Sequence, residues 1–443
     1  MKGKFKAFAA LACAAVCAVS MTACGGAGGT DAGKSEQLGK PAEVTSLGYG
    51  DRTKESFVAF KGKVEEFAAT FADRAYKARE EKDNFTVSPV SVYSALSLAA
   101  ECASGETRSE ILSALGVSYE QLKENYPMLY RALNVEHKPE NEITGMVKLG
   151  NSIWLDERLD YKQPCIDALS QHYYAYSYSA DFAYKNAEAN QAVRAFVKEQ
   201  TKGLIDQDFQ LSKDTAFALI NTLYLKTIWN NGGDDLFFTT ENYTFGNADG
   251  TTKQTKLLLG DFKRGRAYEG ETYSTFYTST FDGYKIKFIL PKDGYTVDDV
   301  FTAENIAEVN AVTDYRPYDG DTQTEYYTRC LFPEYKCKYD EDVKEILQEK
   351  FGINLLFDDI KCDYSAITNT PCVCTKVQHV TDLTVDKKGI EGAAVTIIAN
   401  DATSPAPDEK KEVREDFILD RAFGFIITTW DNFTLFSGVV NGI

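Results

Sequence analysis

Lys387-Lys388-Gly389-Ile390-Glu391-Gly392-Ala393-Ala394-Val395-Thr396-Ile397-Ile398 is a glycine followed by small and β-branched residues. β-branched residues favour the pleated strand. No proline interrupts the run before Pro405. It passes directly into Asn400-Asp401-Ala402-Thr403-Ser404-Pro405-Ala406-Pro407-Asp408-Glu409-Lys410-Lys411, whose turn-forming and charged residues read as an exposed loop. A strand-competent segment therefore leads straight into solvent. This is the pattern of a loop that can later become a strand.

The surrounding chain is long enough to bury a large core. It has 443 residues, 44% of them hydrophobic and 13% aromatic. Its formal charge of -18 repels a phosphate backbone, which argues against nucleic acid as a partner.

The first residues read as a targeting segment. Lys2, Lys4 and Lys6 form a basic start, and Ala7 to Val19 is an apolar stretch too short to span a bilayer. Met21-Thr22-Ala23-Cys24-Gly25-Gly26 follows. Small residues before a cysteine resemble a bacterial lipoprotein signal, although Met21 stands where Leu is usual. The resemblance implies cleavage before Cys24, lipid on its thiol, and anchoring to the outer face of a bacterial membrane. Ordinary signal cleavage near Ala23 is the alternative. The segments expected are a signal over 1–23, a flexible tether over 24–52 reaching roughly 25–30 Å, and one domain over 53–443.

Seven cysteines remain beyond Cys24: Cys102, Cys165, Cys330, Cys337, Cys362, Cys372 and Cys374. An odd, scattered set is not a disulfide framework, and no second pair accompanies Cys372-Val373-Cys374 at zinc spacing. No metal site or cofactor is expected. His137 and His172 read as ordinary surface histidines.

Helical spacing appears at Val64, Phe67, Ala68, Phe71 and Ala75, then over Val92–Ala100, Ser109–Leu115, Cys165–Tyr174 and Ala187–Lys198. Ser88 and Ser91 both suit a helix cap before Val92. Strands are expected at Phe217–Leu225, Tyr284–Leu290, Leu331–Tyr339, Val373–Val385, Phe423–Trp430 and Thr434–Val440. Helices early and strands late point to an α+β domain.

Several motifs then occur together. Asn84-Phe85-Thr86-Val87-Ser88-Pro89-Val90-Ser91 precedes Ala103-Ser104-Gly105-Glu106-Thr107. Thr201-Lys202-Gly203-Leu204-Ile205 precedes Leu219-Ile220-Asn221-Thr222-Leu223-Tyr224-Leu225-Lys226 and Trp229. Phe417-Ile418-Leu419-Asp420-Arg421-Ala422-Phe423 and Leu435-Phe436-Ser437-Gly438-Val439-Val440-Asn441 close the chain. From about Phe57 onward this order resembles the serpins, the serine-protease-inhibitor family. The resemblance implies a large central mixed sheet with further sheets, about nine helices and an exposed reactive-centre loop, here about 387–416.

It also implies a mechanism. A protease cuts the loop and forms an acyl-enzyme, and the cut loop inserts into the main sheet as a new strand. Alternate residues share a strand face. Ile390, Gly392, Ala394, Thr396, Ile398, Asn400 and Ala402 would share one, and none is charged or proline, as a buried central strand requires. Some 14 residues span roughly 45 Å, enough to cross a domain.

By the same resemblance the hinge is Lys387, Lys388, Gly389, Ile390, Glu391, Gly392, Ala393 and Ala394. Lys387 and Lys388 stand where acids are usual, Ile390 where Thr or Ser is, and Gly392 where Ala is. Bulky Ile390 is expected to slow the first step of insertion. The scissile bond follows the seventeenth residue counted with Lys387 as the first, at Thr403–Ser404. Thr403 suits elastase- or subtilisin-like proteases and not trypsin-like ones, which need Lys or Arg. Ser88, Ser91, Asn221 and His379 match the family's shutter beneath the sheet, and Trp229 its breach. A Ser88–His379 catalytic pair does not fit, because Pro89 follows Ser88 with no nucleophile elbow. No catalytic residue is expected. The expected protein is a monomeric inhibitor of a target protease. Alternatives are a non-inhibitory binding protein on the same fold, or an inhibitor of a cysteine protease.

Overall fold

The computed structural model describes residues 35–137, 144–231, 234–315, 324–391 and 411–443. The chain begins with β1 (Glu36–Gly39), α1 (Tyr49–Arg52) and α2 (Glu55–Lys77). Then β2 (Phe85–Val87) leads into α3 (Pro89–Cys102), α4 (Gly105–Leu115) and α5 (Tyr119–Ala132). Next come β3 (Asn134–His137), β4 (Gly145–Asp156), α6 (Gln163–His172), β5 (Ala175–Ala180), α7 (Asn186–Gln200) and β6 (Phe217–Ile228). Five short strands follow: β7 (Tyr243–Gly246), β8 (Thr252–Thr255), β9 (Leu258–Leu259), β10 (Lys263–Arg264) and β11 (Tyr268–Glu269). They lead to β12 (Tyr273–Ser279), β13 (Lys285–Pro291), α8 (Val297–Val300) and α9 (Ala303–Ala311). The last elements are β14 (Thr324–Phe332), β15 (Tyr335–Asp342), α10 (Lys344–Phe351), β16 (Gln378–Asp386), β17 (Gly389–Ile390), β18 (Lys411–Ile418), β19 (Phe423–Thr428) and β20 (Thr434–Val440).

The central sheet runs β1-β5-β4-β6-β17-β16-β15. It is mixed, because β4 pairs β5 in parallel through the crossover helix α6, while β6 pairs β4 antiparallel. A single residue pair, Lys338↔Phe85, joins it to a second sheet, β2-β20-β19-β13-β12-β11. A third sheet pairs β14 with β10, β9 and β18. This is an α+β domain with ten α-helices among the described residues, eight of them eight residues or longer.

The helices follow from their buried stripes. On α2, Phe57, Phe60, Val64, Phe67, Phe71 and Ala75 are buried at helical spacing. The other expected stripes fall on α3, α4, α6 and α7, although α6 ends at His172, two residues short of Tyr174. Almost every residue of α3 is buried, so it is a core helix lying under the sheets. A smaller cluster of Trp154, Phe182, Phe196 and Val197 packs α7 against the opposite face.

Five expectations need correction. The expected loop of about 387–416 is too long at its far end, because Lys411–Asp416 belongs to β18 and pairs in parallel with β14. Glu36–Gly39 is not tether: it adds β1 to the edge of β5, and Arg131 holds the carbonyls of Thr45 and Ser46. Leu331–Tyr339 is not one strand. Pro333, which lacks an N–H, separates β14 and β15, which lie in different sheets. Val373–Val385 is a strand only from Gln378, so the cysteines at 372 and 374 do not alternate along one. Strands are not confined to the second half, since β4 and β5 lie between β1 and β6 in the main sheet.

Gly438 shows how closely β20 and β2 meet within the second sheet. A Cβ there would lie 2.2 Å from the Phe85 carbonyl oxygen.

Candidate functional site: a slot in the central sheet

β6 and β16 are neighbours in the main sheet only at one end. There β17 lies between them, with Gly389 and Ile390 opposite Ile228 and Thr227 of β6 and opposite Asp386 and Val385 of β16. Below this point, among the described residues, no ladder joins Phe217–Lys226 to Gln378–Thr384. A cavity of about 400 Å³ occupies the place of the missing strand. One wall is Asp214–Thr222 and the other Pro371–Val380, with Ser91, Leu96 and Ala99 of α3 below and Val197 and Ile205 alongside.

The upper end is held by the hinge. Ile390 is 0% exposed, and burying such a side chain is worth about 1.5–3 kcal/mol. Asp386 accepts the backbone N–H of Lys388 at 2.8 Å and of Gly389 at 3.2 Å. Lys387 pairs with Asp235 at 2.9 Å, but both are well exposed and such a pair contributes ~0–1 kcal/mol. Apolar burial therefore dominates the docking. The expected obstacle at Ile390 is absent from the docked hinge, because this side chain already lies inside the sheet. Gly389 has no substitute here, since a Cβ would sit 2.0 Å from the Thr227 carbonyl oxygen. Trp229, 1% exposed, donates to the Asp386 carbonyl at 2.6 Å beside the point of entry.

Glu391 directly follows the last residue of β17. Its φ of +64° is a left-handed value, costly for a side chain of this kind. Its N–H still bonds the Thr384 carbonyl at 2.8 Å. Tyr224 donates to its carboxylate, while Oε2 is buried without a partner. Burial pushes the carboxyl up to about 7. Gly392, Ala393, Ala394, Thr403 and Ser404 lie outside the described residues, as does Cys24.

The four expected shutter residues gather under the slot as two pairs. Ser91 Oγ donates to Asn221 Oδ1 on the β6 side. On the β16 side His379 Nε2 accepts the Ser88 backbone N–H at 3.0 Å. Ser88 is the N-cap residue of α3 but makes no side-chain capping bond. Burial pushes the His379 imidazole down to about 3, so it is neutral.

Sequence reasoning missed the residue that ties the β6 side together. Asn151 on β4 lies opposite Asn221. Its Oδ1 accepts from Asn221 and from Ser94, and its Nδ2 donates to the Tyr126 hydroxyl at 2.8 Å and the Tyr173 carbonyl at 2.7 Å. Thr381 was also missed, and donates to the Thr86 carbonyl at 2.6 Å. Asn151, followed by Ser152, inside the mostly apolar run Leu149 to Leu155 was the available signal. Of the other histidines, His172 is exposed and His137 is half-buried, 3.9 Å from Asp282.

The comparisons with known proteins agree with this geometry. The family model described as Serpin (serine protease inhibitor) matches residues 63–442. The chain belongs to the serpin family. Among curated relatives, alpha-1-antiproteinase S of Cavia porcellus is 26% identical over 352 residues, covering 74% of this chain and 80% of that protein. The thermophilic serpin tengpin in its native state aligns with a TM-score of 0.69 at 20% identity, covering 93% of this chain and 100% of that one. Human thyroxine-binding globulin, solved in complex with thyroxine, aligns with a TM-score of 0.69 at 20% identity, covering 87% of this chain and 99% of that one. Serpins are in general protease inhibitors and not enzymes, although some do not inhibit.

Two outcomes follow for this serpin. Gly389→Ala is expected to expel β17, which hydrogen exchange would report as at least tenfold faster exchange of the Ile390 amide with no change in β4. His379 is a base whose imidazole lies below its ordinary value in the fold. Between about pH 6.5 and about 3 the unfolded chain takes up a proton that the folded chain refuses, so stability falls as pH falls through that window. Urea unfolding at pH 7 and pH 5 should show about 2 kcal/mol less acid loss in His379→Gln than in the wild type. Equal losses would contradict the assignment.

Proposed function

We propose that this serpin inhibits serine proteases as a suicide substrate, by closing its slot with its own loop. The observation that supports this reading most is the fit of slot to loop. Continuing the register of β17 down the slot brings Thr396 level with Asn221 and His379, and Ala402 level with Thr215 and Val373. Every residue named on the two walls lines the cavity. Because Ile390 faces inward, the same-parity residues Gly392 to Ala402 would follow it, and each is uncharged. The Thr396 hydroxyl would enter the polar pairs beneath the sheet, where partners already exist.

The protease nucleophile attacks the Thr403 carbonyl, the Thr403–Ser404 bond breaks, and the amine leaves on Ser404. The acyl group stays on Thr403 while the freed strand enters. Thr403 fits small apolar specificity pockets, which makes elastase- or subtilisin-like enzymes the proposed targets. The protein acts as a monomer, without a cofactor. The signal-like start supports a bacterial lipoprotein, anchored through Cys24 on the outer membrane face. A non-inhibitory binding role is the second reading, favoured by the atypical hinge at Lys387, Lys388, Ile390 and Gly392.

Incubating the protein with elastase or subtilisin should give a covalent complex stable in SDS. Thr396→Arg buries a charge in the slot and should convert inhibition into simple cleavage, with at least tenfold more inhibitor consumed per protease blocked. Wild-type cleavage with no complex and no gain in heat stability would overturn the inhibitor reading. The anchor is tested separately. Mass spectrometry of membrane fractions should find diacylglyceryl on Cys24, lost in Cys24→Ser, and an unmodified N-terminus near Ala23 would contradict it.

A further inference from the structure

Five of the seven cysteines within the described residues gather near the lower end of the slot. Cys102 ends α3, Cys165 lies in the first turn of α6, and Cys362, Cys372 and Cys374 come from the segment between α10 and β16. All are free thiols. They differ in setting. Cys372 and Cys374 line the cavity wall, and burial pushes both thiols up to about 11 and that of Cys362 up to about 12. Such thiols are poor nucleophiles near neutral pH. Cys102 and Cys165 are 0% and 5% exposed and hydrogen-bonded to each other. Cys165 Sγ also donates to the Glu101 carbonyl at 3.8 Å. The contact with Cys165, and then burial, raise the Cys102 thiol too, so contact and not acidity distinguishes this pair.

α3 straddles the slot, bonded to β16 through Ser88 and to β6 and β4 through Ser91 and Ser94, whereas α6 belongs to one side alone. α6 is the crossover between β4 and β5, so it travels with β5, β4 and β6, the strands on one side of the slot. α3 lies beneath the slot and carries Ser88 and Ser91 at its start. Admitting or expelling a strand changes the β6–β16 separation by roughly 4.8 Å. The contacts between α3 and α6, including the hydrogen bond from Tyr173 to Glu101, can slide or re-form. A sulfur–sulfur bond of about 2.05 Å cannot.

We propose that Cys102 and Cys165 are a disulfide-forming pair that ties α6 to α3 and fixes the slot in its open geometry. The oxidant is a small-molecule disulfide, acting as the chain folds, before α6 covers the pair. One cysteine thiolate attacks the reagent and releases the first small thiol. The other cysteine then attacks the mixed disulfide and releases the second. Two S–H bonds are lost and one Sγ–Sγ bond forms, while the reagent takes up two electrons and two protons.

The functional consequence rests on the insertion reading above, and the experiment separates the two. The full chain is refolded in oxidised and reduced glutathione or in excess dithiothreitol. Peptide mapping should find Cys102 linked to Cys165 in the first sample only, also when Cys372 and Cys374 are both serine. Oxidised protein should need at least threefold less inhibitor per elastase molecule trapped than reduced protein. Cys102→Ser and, as a second variant should one fold poorly, Cys165→Ser should behave alike in both buffers. No 102–165 link, or a link to another cysteine, overturns the site. A link without any change in trapping overturns the fixing of the slot. If reduced wild-type protein forms no complex at all, the insertion reading fails, and the peptide map alone decides whether the disulfide forms.

Discussion

Two strand edges that face each other without a ladder are the constraint on which the rest of this structure turns. Backbone N–H and C=O groups need partners, and a sheet edge without them is a template for the next strand to arrive. Among the described residues, β6 and β16 present such edges along most of their length. β17 satisfies the first two rungs and stops at Glu391, where the backbone turns left-handed. The fold thus begins a strand and leaves the remainder as a cavity floored by α3. Everything distinctive about the site is arranged around that interruption.

Beneath the interruption the interior is polar where a core is normally apolar. Buried polar groups cost little only if each finds a partner. Asn151 uses its amide in full, bridging β4, β6, α5 and the end of α6. His379 is less complete: it takes one backbone N–H and stays neutral, while Ser88 Oγ has no partner. The β6 side is therefore tightly knit and the β16 side loosely so. A strand that brings a hydroxyl to this level finds unused hydrogen-bonding capacity on the looser side.

The sequence was legible where burial is one-sided and periodic. The stripes of α2, α4, α6 and α7, and the apolar runs of β6, β19 and β20, follow directly from it. It was less legible where pairing is decided at a distance. Ala175–Ala180 alternates Tyr and Ser, which does not announce a strand covered on both edges by β1 and β4. Glu36–Gly39 has no pattern of its own and is a strand only because the edge of β5 accepts it. Cys372-Val373-Cys374 alternates as a strand does, yet the ladder of β16 starts at Gln378, beyond it.

The same division runs through the site. Its ordered motifs pointed to the family, to the hinge and to four polar residues, because those are short-range patterns with fixed spacing. From the sequence alone came the α+β class, the uncharged alternate face of residues 390–402, and the glycine at 389. Tertiary structure decided that Ile390 is already docked, that the polar residues divide into two pairs across the slot, that Asn151 joins one of them, and that Cys102 meets Cys165. These depend on which segments lie side by side. A chain separated by 63 to 291 residues in sequence carries no local trace of that adjacency, since contact is set by how whole sheets and helices pack.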